Sequence, residues 1–165
     1  MTRAKQCSPS DLDNKRSHDL EGELLDAIPN PDVPRRPAPH ILVVEHDSER
    51  LTKLLSALLP NGFHVTVVSN GDMMQRALSD RPMDLVLLDV LASDQSGLSL
   101  YQRARESGGP PVILLALRAD ETRVIQAMKH NGDDYLIKPF SGQQLLAQIS
   151  AVLCRSAGIR GPRMA

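Results

Sequence analysis

Aromatic residues are scarce in this 165-residue chain, since they make up 2% of it and no tryptophan occurs. Proteins that bind single-stranded nucleic acid stack bases on aromatic side chains, so this composition disfavours that class. An excess of one charge is lacking too, because 19 basic residues are balanced by 20 acidic ones. A chain without a basic excess is not expected to bind DNA through its phosphates alone.

Long apolar segments and paired cysteines are also missing. No apolar run approaches the ~20 residues that a membrane-spanning helix requires, and residues 1–30 contain no apolar stretch of the signal-peptide kind. Cys7 and Cys154 are far apart and belong to no metal-binding or redox motif. We therefore expect a cytoplasmic protein with reduced thiols and no membrane segment.

Apolar residues amount to 41% of the chain, which supports one hydrophobic core. Residues 1–39 are predicted to lie outside that core as a disordered, proline-rich arm, because five prolines occur between Pro29 and Pro39. The arm includes one apolar stripe with helical spacing, which is either a transient helix or a docking peptide: Leu20, Leu24, Leu25 and Ile28.

From residue 40 onwards, short apolar runs alternate with amphipathic segments. Strands are predicted at Ile41–Glu45, Phe63–Val68, Leu85–Leu88, Val112–Ala116 and Tyr135–Ile137. Helices are predicted from Asp47 or Ser48 to Leu59, and at Asn70–Ser79, Gly97–Glu106, Asp120–His130 and Ser141–Arg155. This alternation predicts an α/β fold, a doubly wound parallel sheet with the flavodoxin-like order 2-1-3-4-5 and five helices, over residues 40–155.

Charged residues follow three of the predicted strands. Glu45, His46 and Asp47 follow the first strand, Asp89 the third and Lys138 the fifth. Because the carboxyl ends of parallel strands meet at one edge of the sheet, we expect these groups to form a cluster. Carboxylates with an ammonium group suit the binding of a cation and a phosphoryl group.

Four segments resemble the receiver domain of bacterial response regulators: Ile41–Asp47, Leu85–Gly97, Pro111–Leu117 and Gly132–Phe140. The resemblance implies that Asp89 accepts phosphate from a histidine kinase and that Lys138 pairs with the acyl phosphate. It also implies that Glu45 and Asp89 hold magnesium, and that Pro139 follows Lys138 through a cis peptide bond.

Three positions depart from the family pattern. His46 stands where the family has its second metal-binding acid, and imidazole is a poor magnesium ligand. Ala116 stands at the switch position, where the family has a Thr or Ser; loss of that hydroxyl removes a hydrogen bond worth roughly 0.5–1.5 kcal/mol. Ser93 replaces a loop proline. Together these departures predict atypical or weak phosphorylation and weak magnesium binding.

Several roles remain open for these residues. His46 is a solvated loop residue, an imidazolium that neutralises Glu45 and Asp89, or a transition-metal ligand. Asp47 is either the cap of the first helix or a substitute metal ligand. Tyr135 matches the family aromatic that changes rotamer together with the switch hydroxyl, or it is simply a half-buried strand residue.

The segment Gly132–Tyr135 resembles the subgroup whose receivers drive winged-helix DNA-binding domains. That resemblance implies a homodimer through the last strand and helix, with Asp133 and Asp134 in ion pairs between subunits. Gln144 and Gln148 stand where the subgroup has Glu and Arg, so apolar contact is expected to dominate the dimer face.

We therefore expect a non-enzymatic receiver domain of a two-component response regulator that controls transcription through dimerisation, with a histidine kinase as partner. DNA would be reached only through an output domain, which this chain is not expected to contain, and residues 156–165 are predicted to be a basic tail or linker. One alternative is a stand-alone receiver that acts by protein contact without phosphorylation. Another is a flavodoxin-like small-molecule module, although the acidic loop at Glu45 would repel phosphate.

Overall fold

The computed structural model describes residues 37–90, 96–128 and 133–159. Nearly all of the predicted arm and the end of the predicted tail lie outside these residues, as do Ser93, His130 and Gly132. No helix among the described residues is long and apolar enough to cross a bilayer.

Five parallel strands form one sheet in the described residues, in the order β2-β1-β3-β4-β5. The strands are β1 His40–Val44, β2 His64–Val68, β3 Leu85–Asp89, β4 Val112–Leu117 and β5 Asp134–Lys138. The helices between and after them are α1 Ser48–Leu58, α2 Gly71–Asp80, α3 Ser96–Glu106, α4 Glu121–Ala127 and α5 Gly142–Ile159. The predicted doubly wound fold and its strand order are confirmed.

The sheet carries one apolar core on each face, because successive side chains of a strand point to opposite faces. One core joins the strands to α2, α3 and α4 and includes Leu42, Val44, Val86, Leu88, Met74, Tyr101 and Val124. The other joins them to α1 and α5 and includes Ile41, Val43, Leu85, Leu87, Leu54, Leu145 and Ile149. Burial of each Leu or Ile side chain stabilises the folded state by about 1.5–3 kcal/mol. The two cores therefore hold the central strands in place, and with them the positions of the strand ends.

Side-chain caps begin three of the helices where the sequence places them. Asp47 caps α1 by accepting a hydrogen bond from the Arg50 amide at 2.9 Å, and Asn70 caps α2 through the Met73 amide. Ser141 and Gln144 form a reciprocal capping box at the start of α5. Asp47 is therefore the helix cap, through its Oδ1 atom.

Two predicted helix ends are wrong. The fourth helix ends at Ala127 rather than His130, because the backbone of Met128 is extended, and a 3-10 turn at Arg118–Asp120 takes up its predicted start. The last helix continues past Arg155 to Ile159. No proline occurs between Arg155 and Pro162, so the backbone hydrogen bonding of α5 is not interrupted there.

Candidate functional site

Asp89 and Lys138 meet at the carboxyl edge of the sheet. Asp89 is the last residue of β3 and Lys138 is the last residue of β5, with β4 between them. The ammonium Nζ of Lys138 lies 2.5 Å from Oδ1 of Asp89, whose side chain is 5% exposed. The Lys138–Pro139 peptide bond is cis. The structure therefore joins two of the strand ends that the sequence places together.

Glu45 is the third charged residue at this edge and is buried, with 3% of its surface exposed. Its Oε1 atom accepts a hydrogen bond from the Asp47 amide at 2.8 Å. Its Oε2 atom is buried, and while the carboxyl group is unprotonated this atom has no hydrogen-bond partner among the described residues. A proton on Oε2 would supply a donor toward the neighbouring Asp89.

The carboxyl groups of Glu45 and Asp89 influence each other's protonation. Burial raises the pKa of Glu45 to about 7, and the hydrogen bond and charge of Asp89 add to that effect. Burial alone would raise the pKa of Asp89 as well, but its hydrogen bonds with Glu45 and Lys138 and the charges of Lys138 and Arg50 outweigh burial and lower that pKa. Asp89 therefore carries the negative charge at neutral pH, and Glu45 shares the proton.

Arg50 is a second cation at Asp89 that the sequence analysis missed. Its Nη1 atom lies 3.5 Å from Oδ2 of Asp89, and its side chain is 42% exposed. The Asp47 cap fixes the first turn of α1, and this turn carries Arg50 toward the sheet edge. A basic residue three positions after a helix cap, in the first helix after β1, is the signal in the sequence that would have found it.

His46 lies at the rim of this cluster. Its side chain is 59% exposed, and its Nδ1 atom lies 3.6 Å from Oε1 of Glu45. In the described part of the chain, the cations within ion-pair distance of Asp89 are Lys138 and Arg50. This exposure favours the interpretation of His46 as a solvated loop residue over that of a cation between the two acids.

The predicted metal ligands do not fit a magnesium ion in this arrangement. Asp47 caps α1, and both oxygens of Asp89 contact cations of the protein itself. Glu45 is the remaining acid, and its pKa of about 7 leaves it partly protonated at neutral pH. No group of three or more His, Cys, Asp or Glu residues able to hold a metal ion occurs among residues 37–90, 96–128 and 133–159.

The two predicted switch positions have no polar link to each other. Ala116 is fully buried in β4 and offers only a methyl group. Tyr135 is half-buried and donates its hydroxyl to Oε1 of Glu121 at 3.3 Å, at the start of α4. Burial and the charge and hydrogen bond of Glu121 raise the pKa of this phenol. The hydroxyl of Tyr135 is therefore tied to α4.

The residues of the predicted dimer face occupy different environments. Asp133, for which the resemblance implies ion pairs between subunits, has a buried side chain whose partners lie within this chain. It accepts hydrogen bonds from the Tyr101 hydroxyl at 2.7 Å and the Val112 amide at 2.8 Å. It also pairs with Arg105, at 3.0 Å. Asp133 therefore fastens the strand β4 and the helix α3 to the segment before β5.

The other three residues of that face are on α5 or beside it. Asp134 pairs with Arg155 of the same chain at 2.8 Å. Gln144 is exposed and belongs to the capping box of α5, and Gln148 is half-buried on the same helix. The partners that Asp134 and Gln144 use in the structure lie within this chain.

Two clefts reach Asp89 from opposite sides of the sheet edge. One of ≈ 630 Å³ lies between α1 and α5 and is lined by the three cations Arg50, Lys53 and Lys138 and by apolar residues such as Phe140. The other, of ≈ 530 Å³, is lined by His46, residues at the start of α2, and Gly97. The cleft between α1 and α5 therefore carries more cations than the other cleft, whose lining includes Arg103.

Comparison with known proteins identifies relatives that agree with one another. The family model of the response regulator receiver domain matches residues 41–150. Transcriptional regulatory protein CseB of Streptomyces avermitilis is 38% identical over 123 residues, which are 74% of this chain and 52% of CseB. Transcriptional regulatory protein CpxR of Klebsiella pneumoniae is 40% identical over 117 residues, which are 70% of this chain and 50% of CpxR. The chain thus spans about half the length of the curated relatives it matches.

Solved structures agree with these matches. The crystal structure of the receiver domain of the TMAO respiratory system response regulator TorR aligns with a TM-score of 0.64 and 29% sequence identity. The alignment covers 71% of this chain and 98% of that domain.

Proposed function

The chain belongs to the family of response regulator receiver domains, and on that premise we propose that Asp89 is its phosphoacceptor and Lys138 the partner of the acyl phosphate. The observation that carries this proposal is the ion pair between Lys138 Nζ and Asp89 Oδ1 at the carboxyl edge of the sheet. The lowered pKa of Asp89 keeps it ionised and therefore nucleophilic. Receiver domains are signalling proteins rather than typical enzymes, and the names of CseB and CpxR support transcription as the process that this chain controls.

We further propose that phosphorylation here is atypical. Receiver domains commonly use magnesium at this site, whereas the second acid is replaced by the exposed His46 and Asp89 is already paired with cations. The buried Ala116 offers no hydroxyl to a phosphoryl oxygen. A nucleotide or flavin module is less well supported, because the loop after β1 directs the Asp47 amide to Glu45 rather than to a phosphate.

The phosphoacceptor is tested by intact-mass measurement after incubation with acetyl phosphate, in separate samples with magnesium and with a chelator. We expect a gain of one phosphoryl group in at least one condition, and no gain in Asp89→Asn. The matched control is Asp80→Asn, because Asp80 is an exposed aspartate at the end of α2. Unmodified wild-type protein in both conditions, or equal labelling of Asp89→Asn, would contradict the proposal, provided that circular dichroism shows the proteins folded.

We also propose a homodimer through α4, β5 and α5. The large exposed apolar side chains of Leu117 at the end of β4 and Ile125 on α4 support it, because exposed apolar groups of this size often mark protein contacts. Light scattering across a concentration series should show a dimer that Ile125→Glu weakens. Leu59→Glu is the matched control, since Leu59 is equally large and exposed but follows α1. A monomer at all concentrations, or equal loss in both variants, would contradict this face.

A further inference from the structure

We propose that Arg50 takes the place of the metal ion in this pocket, so that its guanidinium and Lys138 together bind the phosphoryl group transferred to Asp89. This inference rests on the proposed role of Asp89 as phosphoacceptor. The fact that carries it is the position of two cations, one at each carboxylate oxygen of Asp89. Lys138 Nζ is 2.5 Å from Oδ1, and Arg50 Nη1 is 3.5 Å from Oδ2.

Arg50 has the chemistry that a metal ion would otherwise supply to the incoming group. A carboxylate that attacks a phosphorylated donor meets a negatively charged group, and a cation must screen that approach. A guanidinium presents several N–H donors in a fixed plane and binds phosphate oxygens in pairs. The 3.5 Å contact to Asp89 is longer than a charge-assisted hydrogen bond, so the guanidinium is close enough to assist yet free to turn toward a phosphoryl oxygen.

The charges around Asp89 favour the guanidinium of Arg50 over a divalent metal ion as the second cation of this pocket. Arg50 is a positive group at Asp89 in addition to the lysine that the family pattern already includes, and a divalent ion placed beside its guanidinium would be repelled by it. The nearest candidate for the second metal acid, Asp47, holds the first turn of α1, and Arg50 belongs to that same turn. The turn that the Asp47 cap begins thus places the guanidinium beside Asp89.

Arg50 is also accessible to a phosphorylated molecule. It lines the cleft between α1 and α5 with Lys53 and Lys138, and 42% of its side chain is exposed. The step is a simple transfer: an oxygen of Asp89 forms a bond to phosphorus, and the bond from phosphorus to the oxygen of the acyl donor breaks. The carboxylate of the donor leaves with the electron pair, and Arg50 and Lys138 remain as cations for the phosphoryl oxygens.

The test compares rates of phosphorylation by acetyl phosphate with a chelator and with magnesium. We expect the wild-type rate to be the same in both, and Arg50→Ala to lower the rate with chelator about a hundredfold, as for removal of one preorganised donor. Arg50→Lys should recover part of this loss, because it restores the charge without the planar donors. Lys53→Ala is the matched control, since Lys53 lines the same cleft from α1 but pairs with the exposed Glu49.

A fourth variant separates this inference from the proposed phosphoacceptor. His46→Asp combined with Arg50→Ala restores an acid pair and removes the guanidinium, so its phosphorylation should require magnesium. If the wild-type rate depends on magnesium, or if Arg50→Ala and Lys53→Ala behave alike, the role of Arg50 is overturned while Asp89 stays the phosphoacceptor. If neither the wild type nor the double variant is labelled in any condition, the phosphoacceptor proposal fails together with the role of Arg50.

Discussion

Glu45 is expected to make the stability of this protein depend on pH, and replacing it by glutamine should remove that dependence. Glu45→Gln keeps the acceptor that the Asp47 amide uses and places an N–H group where Oε2 is now buried without a partner. The amide therefore imitates the protonated acid. It cannot ionise, so it never leaves a charge buried beside Asp89.

The sign and size of the effect follow from the pKa of Glu45, which rises from 4.5 to about 7 on folding. Because the folded protein holds this proton more tightly, the stabilisation is complete below the unfolded pKa and is lost as the pH rises through the folded pKa. At about 1.4 kcal/mol for each pKa unit, the loss approaches roughly 3 kcal/mol by about pH 8. Asp89, whose pKa is lowered, acts in the opposite direction and at more acidic pH.

Urea denaturation of the variant and the wild type at about pH 5 and about pH 8 measures this effect as a difference in the free energy of unfolding. The difference cancels the titrating groups that do not interact with Glu45. The stability of Glu45→Gln relative to wild type should rise by roughly 2–3 kcal/mol between these two conditions. Glu49→Gln is the matched control, since Glu49 is an exposed acid on α1, and its difference should stay constant. A constant difference for Glu45→Gln as well would refute the raised pKa and the shared proton.

Three further predictions concern other parts of the structure and the same denaturation assay. Asp133→Ala should lower the free energy of unfolding by about 3–5 kcal/mol, because it removes the buried carboxylate that pairs with Arg105 and accepts hydrogen bonds from Tyr101 and Val112; a loss below about 1 kcal/mol would contradict the buried network. Asp134→Ala should lower the free energy of unfolding by at most about 1 kcal/mol, since the pair of Asp134 with Arg155 is more exposed. A loss as large as that of Asp133→Ala would show that burial does not determine how much each ion pair contributes to stability. Ala116→Thr should cost about 1–3 kcal/mol, because it puts a hydroxyl into a fully buried apolar position; unchanged stability would mean that the hydroxyl finds a partner in the pocket.

The fold was predictable from the sequence because the apolar pattern that predicts each strand also predicts how deeply that strand is buried. Leu85–Leu88 is apolar throughout, which is typical of a parallel strand covered on both faces, and Asp89 follows it directly. The same pattern predicted that Asp89 and Lys138 would meet, because parallel strands that end in charged residues bring them to one edge. Local rules predicted the Asp47 cap and the capping box of Ser141 and Gln144 equally well.

The contact between Arg50 and Asp89 was not predicted, because it depends on the direction in which α1 leaves the sheet. Spacing along a helix shows which residues share a face, but it does not show which strand end that face meets. The internal partners of Asp133 were not predicted for a similar reason. They include Tyr101 and Arg105 from α3, and a resemblance to a subgroup with ion pairs between subunits contains no information about those contacts. The early end of α4 is set by the backbone of Met128, which no residue pattern indicated.

The most direct test of the central claim, that Asp89 accepts a phosphoryl group in a pocket neutralised by Arg50 and Lys138, is the initial rate of phosphorylation of the wild-type chain measured with a chelator and then with added magnesium. We expect the wild-type chain to be phosphorylated in the chelator, at a rate that magnesium leaves unchanged, and Asp89→Asn to remain unphosphorylated. Phosphorylation that appears only when magnesium is added would contradict it.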